Sequence, residues 1–162
     1  MRIIFVSGKY RDIDWDAIDR NIRKAEKASI KLWQLGWAVI CPHLNTAHFD
    51  GYCEDTVWLQ GDLAMIDRFD PTRDVLFMLD NWKESTGAGN EREHAQRRGI
   101  KIYYEEMGYP TPSGGIIKQH HCKDFFWLKN ELNRERICSK CGFVQNMDKP
   151  LTADSRSFAR IK

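Results

Sequence analysis

Four short apolar runs alternate with helical segments in the first part of the sequence, and this alternation constrains the fold more than any other feature. The runs are Ile3–Val6, Trp37–Cys41, Val75–Leu79 and Ile100–Tyr104. Runs of this length that are apolar at nearly every position are typical of strands buried on both faces. Because the helical segments between them must cross over the sheet, the sequence predicts an α/β domain, a parallel sheet with helices on both faces.

Three helical segments connect the predicted strands. They are Trp15–Leu35, Glu54–Arg68 and residues 87–98, and the first has Asp14 as its N-cap and Gly36 as its stop. The second carries apolar residues at helical spacing, which are predicted to form its buried stripe: Trp58, Leu59, Leu63 and Ile66.

The charge and hydropathy of the chain exclude several classes of function. Its 162 residues have a formal net charge of +2, so bulk positive charge does not indicate a nucleic-acid-binding protein. Nothing approaches the ~18 consecutive apolar residues of a membrane span. The first apolar run breaks at Gly8, unlike a signal peptide. We therefore expect a cytosolic protein with no membrane partner.

Three loops are predicted to meet at one edge of the sheet, where parallel-sheet proteins bind their ligands. They are Ser7–Arg11, Pro42–Tyr52 and Asn81–Glu91. The first loop is small, basic and contains glycine, which is typical of an anion contact. It is too short for a P-loop and lacks the spaced glycines of a dinucleotide fingerprint, so neither ATP nor NAD is indicated.

The second and third loops add different chemistry. The second mixes aromatic rings with histidines and hydrogen-bonding side chains, as a planar heterocyclic ligand requires, although an ordinary surface loop is the alternative. The third has glycines that let a ligand approach the backbone and hydroxyls that can cap a helix or bind phosphate. Its tryptophan either lines the site or packs in the core. The candidate ligand-binding residues are Ser7, Gly8, Lys9, Arg11, His43, Asn45, Phe49, Trp82, Ser85, Gly87 and Gly89.

Two carboxylates form the candidate catalytic pair. Glu91 follows the glycine-containing third loop, and Asp62 lies on the helix that leads into the third strand. Glycosyl chemistry needs one ionised carboxylate and one that donates a proton or hydrogen bond around an oxocarbenium-like centre. Glu91 could instead be a solvated helix residue, and Tyr10 is either a packed ring or a hydroxyl that orients the nucleophile. The sequence shows no Ser/His/Asp or Cys/His nucleophile set.

These residues together resemble the nucleoside 2-deoxyribosyltransferase superfamily. The similarity rests on Ser7–Tyr10, the Asp62 helix, the strand ending at Leu79 and Ser85–Glu91, and it covers about residues 1–104. The superfamily includes 2'-deoxynucleoside 5'-monophosphate N-glycosidases and a phage and bacterial branch of unknown function. The resemblance implies a flavodoxin-like or Rossmann-like fold. It also implies a homo-oligomer whose subunits complete one another's pockets, in the cytoplasm of a bacterium or a phage-infected cell.

The resemblance further implies a role for individual residues. Glu91 would be the nucleophile that forms a covalent (deoxy)ribosyl intermediate, Asp62 would contact or protonate the base, and Tyr10 would orient the nucleophile. Ser85 and Gly87 would bind a 5'-phosphate, as the matching serine and glycine do in the monophosphate branch.

The sequence changes in character after residue 106. Residues 107–117 are rich in proline and glycine and are predicted to be a linker. Residues 118–148 contain a Cys-x-x-Cys-Gly knuckle, which points two thiolates at one ion, and are predicted to be a zinc-ribbon-like segment. Residues 149–162 are predicted to be a mobile tail. The predicted zinc ligands are Cys122, Cys138, Cys141 and either His120 or His121, with unrelated reduced cysteines as the alternative.

Two functions follow from these features. The first is an enzyme, needing no catalytic cofactor, that cleaves or transfers the N-glycosidic bond of a (deoxy)nucleoside or nucleoside 5'-monophosphate. Lys9, Arg11 and Ser85 favour a phosphorylated substrate, whereas hydrolysis and transfer are not distinguished. The second is a non-catalytic nucleotide-binding module or sensor. Its zinc ribbon would contact nucleic acid or a protein through basic residues such as Arg134 and Arg136.

We predict that the purified protein contains about one equivalent of structural zinc, because so small a segment could hardly fold without a tetrahedral metal site. Metal analysis combined with titration of the thiols measures this. A protein without zinc and with freely reacting thiols would contradict the prediction.

Overall fold

Four parallel strands form the central sheet in the computed structural model, which describes residues 1–118 and the strands at 127–130, 135–138 and 144–146. The strands of this sheet are β1 (Ile3–Ser7), β2 (Ala38–Ile40), β3 (Val75–Met78) and β4 (Lys101–Tyr104). Their order is β2-β1-β3-β4, and every neighbouring pair is parallel. The predicted α/β fold with a parallel sheet is therefore confirmed.

The helices that accompany these strands are α1 (Trp15–Gln34), α2 (Pro42–Asn45), α3 (Asp55–Ile66) and α4 (Thr86–Arg97). The predicted cap of α1 is present, since the Asp14 carboxylate accepts a hydrogen bond of 2.7 Å from the backbone N–H of Ala17. The segment predicted as one long loop after β2 instead begins with a helical turn, α2. Its proline occupies the first turn, where the missing N–H costs no hydrogen bond.

Alternate residues of the central strands point to opposite faces of the sheet, and helices cover both faces. On one face Ile4, Val6 and Phe77 pack against the inner side of α1. On the other face Phe5 and Leu76 pack against residues of α3 and α4. Burial of this apolar surface on two sides is the main stabilising term of the domain.

The burial of α3 differs from the sequence prediction. Of the four residues predicted to form a buried stripe, only Ile66 is buried; Trp58, Leu59 and Leu63 are half-buried. Trp58 and Leu59 face a cavity, because the first half of α3 lies beside the carboxyl edge of the sheet and not on its face.

Residues 107–117, which were predicted to be a linker, pack against the core of the α/β domain. Strands β5 (Tyr109–Pro110) and β6 (Ile116–Ile117) form an antiparallel pair. The Tyr109 ring lies 4.9 Å from the Phe77 ring, centre to centre, and the Trp37 indole N–H donates to the carbonyl oxygen of Pro110 at 2.8 Å. The segment thus contributes buried residues to the α/β domain.

The chain divides into two compact units, Met1–Lys118 and Gln119–Lys162. In the second unit, β7 (Trp127–Asn130), β8 (Glu135–Cys138) and β9 (Val144–Asn146) form an antiparallel sheet in that order. The predicted zinc ligands His120, Cys122 and Cys141 lie outside the described residues, as do the alternative His121 and the side chain of Cys138. No helix in the described part of the chain combines the length and apolarity needed to cross a bilayer.

Gly8 provides a test of how closely the ends of β1 and β3 approach. A Cβ at Gly8 would lie 2.6 Å from Cδ1 and 2.9 Å from Cβ of the fully buried Leu79. We predict that Gly8→Ala lowers the free energy of unfolding by about 1–3 kcal/mol, measured by urea denaturation. The control is Gly61→Ala, whose Cβ would meet nothing within 4 Å and which should stabilise α3 by about 0.5–1 kcal/mol. An unchanged stability of Gly8→Ala would contradict this account.

Candidate active site

A cavity of about 460 Å³ opens at the carboxyl edge of the sheet. The loops after β1, β2 and β3 contribute to its wall, together with the first half of α3 and the first turns of α4. This is the edge at which the sequence predicted a ligand site.

The structure brings together most of the residues predicted for the site. Those that line the cavity are Gly8, Tyr10, Arg11, His43, Phe49, Asp62, Ser85, Gly87 and Glu91. Several lining residues were not singled out from the sequence, among them Asp50, Asp55, Trp58, Glu84 and Asn90. The sequence signal for Trp58 was the consecutive apolar run Val57–Leu59, because three successive residues spread over more than one face of a helix and cannot all enter the core.

Five residues predicted to bind ligand do not line the cavity: Ser7, Lys9, Asn45, Trp82 and Gly89. Trp82 packs against Tyr104, with 6.0 Å between ring centres, and the Arg92 guanidinium lies 5.1 Å from the Trp82 ring centre. Ser7 lies beneath the cavity and contacts it through Glu91.

Glu91 is held in the cavity wall by its position on α4. Together with Ala88 and Ala95 it forms the buried face of this helix, and it is only 7% exposed. The helix begins at Ser85, whose side chain accepts a hydrogen bond of 3.2 Å from the backbone N–H of Ala88. The cap and the two alanines therefore direct the carboxyl group towards the end of β1.

The protonation of Glu91 is coupled to that of Asp62. Burial raises the pKa of Glu91 to about 8, and the neighbouring Asp62 charge raises it as well, against a lowering by the Ser7 hydrogen bond. Burial raises the pKa of Asp62 to about 6, against a lowering by its hydrogen bond with Glu91. Because neutral pH lies between these two values, the pair holds about one proton there, and the higher pKa places it on Glu91.

The hydroxyl that contacts Glu91 belongs to Ser7. The Ser7 Oγ, at the end of β1 and 1% exposed, donates a short hydrogen bond to the Glu91 carboxyl group. Tyr10, which the family resemblance assigned to this role, donates to Asp50 at 2.9 Å and accepts from the backbone N–H of His48 at 3.2 Å. Tyr10 therefore attaches the first loop to the second.

Four ion pairs, two for each cation of the first loop, also join the segments around the cavity. The Arg11 guanidinium contacts both Asp50 and Asp55. The Lys9 ammonium lies 2.9 Å from Asp12 and 3.1 Å from Glu84. Both cations of the first loop are thus matched with carboxylates of the chain.

His43 is a buried, neutral histidine in the cavity wall. Its Nε2 lies 3.1 Å from the carbonyl oxygen of Lys9 and must carry the hydrogen, because a carbonyl oxygen can only accept. Burial lowers the pKa of His43, so Nδ1 is a free acceptor at neutral pH, and it has no hydrogen-bond partner among the described residues.

Two aromatic rings, those of Phe49 and Trp58, belong to the cavity wall. They lie 6.1 Å apart, centre to centre, at an interplanar angle of 59°. Trp58 stands one helical turn before Asp62 on α3, so the rings can contact the face of a planar ligand beside the carboxyl pair.

A family model described as "Domain of unknown function (DUF4406)" matches residues 4–104. The match includes the central sheet and the residues that line the cavity. No curated protein matches the sequence.

We predict that Ser7→Ala raises the pKa of Glu91 further, because it removes the hydrogen bond that favours the ionised carboxylate. The rise should correspond to about 1 kcal/mol, the worth of one buried hydrogen bond. Titration of the carboxyl carbon by NMR measures it. Ser29→Ala is the control, since Ser29 is equally buried but donates to the Ala25 carbonyl oxygen within α1. The same Glu91 pKa in Ser7→Ala and the wild type would show that the contact does not control this carboxyl group.

Proposed function

We propose that this chain, which belongs to the family described as "Domain of unknown function (DUF4406)", is an enzyme that cleaves or transfers the N-glycosidic bond of a (deoxy)nucleoside or nucleoside 5'-monophosphate. The proposal places it in the nucleoside 2-deoxyribosyltransferase-like superfamily. The observation that carries it is the buried pair of carboxyl groups, Glu91 and Asp62, in the wall of a cavity that also offers aromatic rings.

The reaction would proceed in two displacements at C1' of the sugar. Glu91 attacks C1' and forms an ester bond with it, while the bond from C1' to the base nitrogen breaks and the base leaves with a proton from Asp62. Asp62, now ionised, then accepts a proton from water or from a second base as that molecule attacks C1' and the ester bond to Glu91 breaks. The first outcome is hydrolysis and the second is transfer, and both retain the configuration at C1'.

The pair holds the one proton that this mechanism needs, but its resting position is on Glu91, whose pKa of about 8 exceeds the value of about 6 for Asp62. Attack requires Glu91 ionised and Asp62 protonated, so the proton must pass from Glu91 to Asp62 before the first displacement. Because Ser7 donates a hydrogen bond to Glu91, it favours the arrangement in which the proton lies on Asp62. Ser7 is therefore a positioning residue in this proposal.

The base would lie against Phe49 and Trp58, the aromatic part of the wall. Stacking on aromatic rings tolerates different bases, since every base has a π-face. Tyr10 would act indirectly by keeping the loop with Phe49 in place through its bond to Asp50.

A homo-oligomer is part of the proposal. Tyr52, at the end of the second loop, is 83% exposed, Val57, which is flanked by lining residues of α3, is 50% exposed, and Phe49 is 46% exposed. Apolar side chains concentrated beside a cavity favour coverage by a second copy of the chain.

The test is Glu91→Gln, which keeps the size of the side chain and removes the nucleophile. We expect base release from a panel of nucleosides and 5'-monophosphates, measured by chromatography, to fall by about 10³-fold or more. Glu93→Gln is the matched control, because Glu93 lies on the same helix and is exposed.

Unchanged base release by Glu91→Gln would contradict the proposed mechanism. Ligand binding without base release by the wild type would favour the nucleotide-binding module instead.

A further inference from the structure

We infer that the substrate of this cavity carries no charge at its 5' end, so that a free nucleoside is preferred to its 5'-monophosphate. This inference rests on the proposed function and specifies the substrate class of the same site. The ion pairs of the first loop support this inference, because they neutralise the two cations that could otherwise bind a phosphate.

Arg11 is the one cation among the described residues that line the cavity. Its guanidinium donates to Asp50 and Asp55, and the Asp50 side chain is only 6% exposed. Moving Arg11, whose own side chain is 46% exposed, to a phosphate would leave the buried Asp50 carboxylate with Tyr10 as its donor, which is unfavourable. Arg11 therefore stabilises the second loop, and a phosphate would have to compete with Asp50 and Asp55 for its guanidinium.

Lys9 is also paired with carboxylates of the chain. Its ammonium group lies within 3.1 Å of two carboxylates, those of Asp12 and Glu84, and it does not line the cavity. The Lys9 charge also holds the pKa of Asp12 below its usual value, so this acid stays ionised.

The remaining charges of the wall are negative. The acidic groups that line the cavity are Asp50, Asp55, Asp62, Glu84 and Glu91. Even with one proton on the catalytic pair, the lining residues carry four negative charges against the one positive charge of Arg11. A phosphate dianion would enter a field of its own sign, which favours a neutral ligand.

Glu84 is the group near the start of α4 that distinguishes a hydroxyl from a phosphate. The Ser85 side chain accepts from the N–H of Ala88, and the Ser85 carbonyl oxygen accepts from the N–H of Gly89 at 3.0 Å, but the Ser85 O–H can still donate to either ligand. Glu84 is an acceptor on the wall beside them. A 5'-hydroxyl can donate to a carboxylate, whereas a phosphate dianion has no hydrogen to donate.

The experiment compares a deoxynucleoside with its own 5'-monophosphate, so that base and sugar are identical. We expect kcat/KM for base release to be at least about tenfold higher for the nucleoside. A higher value for the monophosphate would overturn the inference while leaving the proposed function intact.

The dependence of KM on ionic strength provides a second test, because repulsion and attraction of the phosphate predict changes of opposite sign. If the cavity repels the phosphate, raising salt from about 20 mM to about 0.5 M should lower KM for the monophosphate and leave KM for the nucleoside nearly constant. If Lys9 and Arg11 attract the phosphate, the same change should raise KM for the monophosphate, and that result would refute the inference.

Removal of negative charge from the wall gives a third measurement. In the double variant Asp55→Asn, Glu84→Gln, the kcat/KM of the monophosphate relative to that of the nucleoside should rise by about three- to tenfold. The control is Glu93→Gln, which removes an exposed charge that does not line the cavity and should leave this ratio unchanged. A ratio that stays constant in the double variant would count against the inference.

Binding separates the inference from the proposed function. If neither compound releases its base, tryptophan fluorescence of the wild-type protein, to which Trp58 in the cavity wall contributes, still compares their affinities. Tighter binding of the nucleoside supports the inference although the proposed function fails. Equal or tighter binding of the monophosphate, or no binding of either compound, overturns it.

Discussion

The site depends on keeping two carboxyl groups largely out of water. Burial disfavours the charged form of Glu91, and the fold compensates for this with the Ser7 hydrogen bond and with Asp62 as a partner for a shared proton. These contacts require that the end of β1, the middle of α3 and the second turn of α4 lie together. The packed core beneath them, with Phe5, Ala88 and Ala95 fully or almost fully buried, holds these three elements in register.

The sequence predicted the sheet and the position of the nucleophile for related physical reasons. A parallel strand between two helical layers is apolar at nearly every position, so runs such as Val75–Leu79 are visible without any tertiary information. Glu91 was predicted as the nucleophile from the glycine-containing loop before it. The structure shows that the sequence also contained a second signal. Glu91 stands three residues after Ala88 and four before Ala95, on a face that is otherwise small and apolar, where a surface glutamate would not be expected.

The partners of these residues could not be predicted in the same way. Ser7 and Glu91 are 84 residues apart, and Arg11 and Asp50 are 39 apart, so each contact depends on the strand order β2-β1-β3-β4. Local pattern does not specify that order, and the resemblance assigned orientation of the nucleophile to Tyr10, whereas Ser7 of the same short segment makes the contact. The half-exposed α3 was missed because a helical apolar stripe does not reveal whether it faces a core or a cavity.

The contact between Trp37 and the carbonyl oxygen of Pro110 bears on where the domain ends. The family match stops at residue 104, whereas the first compact unit continues to Lys118, and Tyr109 within this extension is 2% exposed. An expression fragment cut at the family boundary would uncover the indole of Trp37 and the ring of Phe77, which are 1% and 0% exposed in the intact unit. Evolutionary and physical boundaries thus differ in this chain, and truncation for crystallography or transplantation into a fusion protein should follow the physical one.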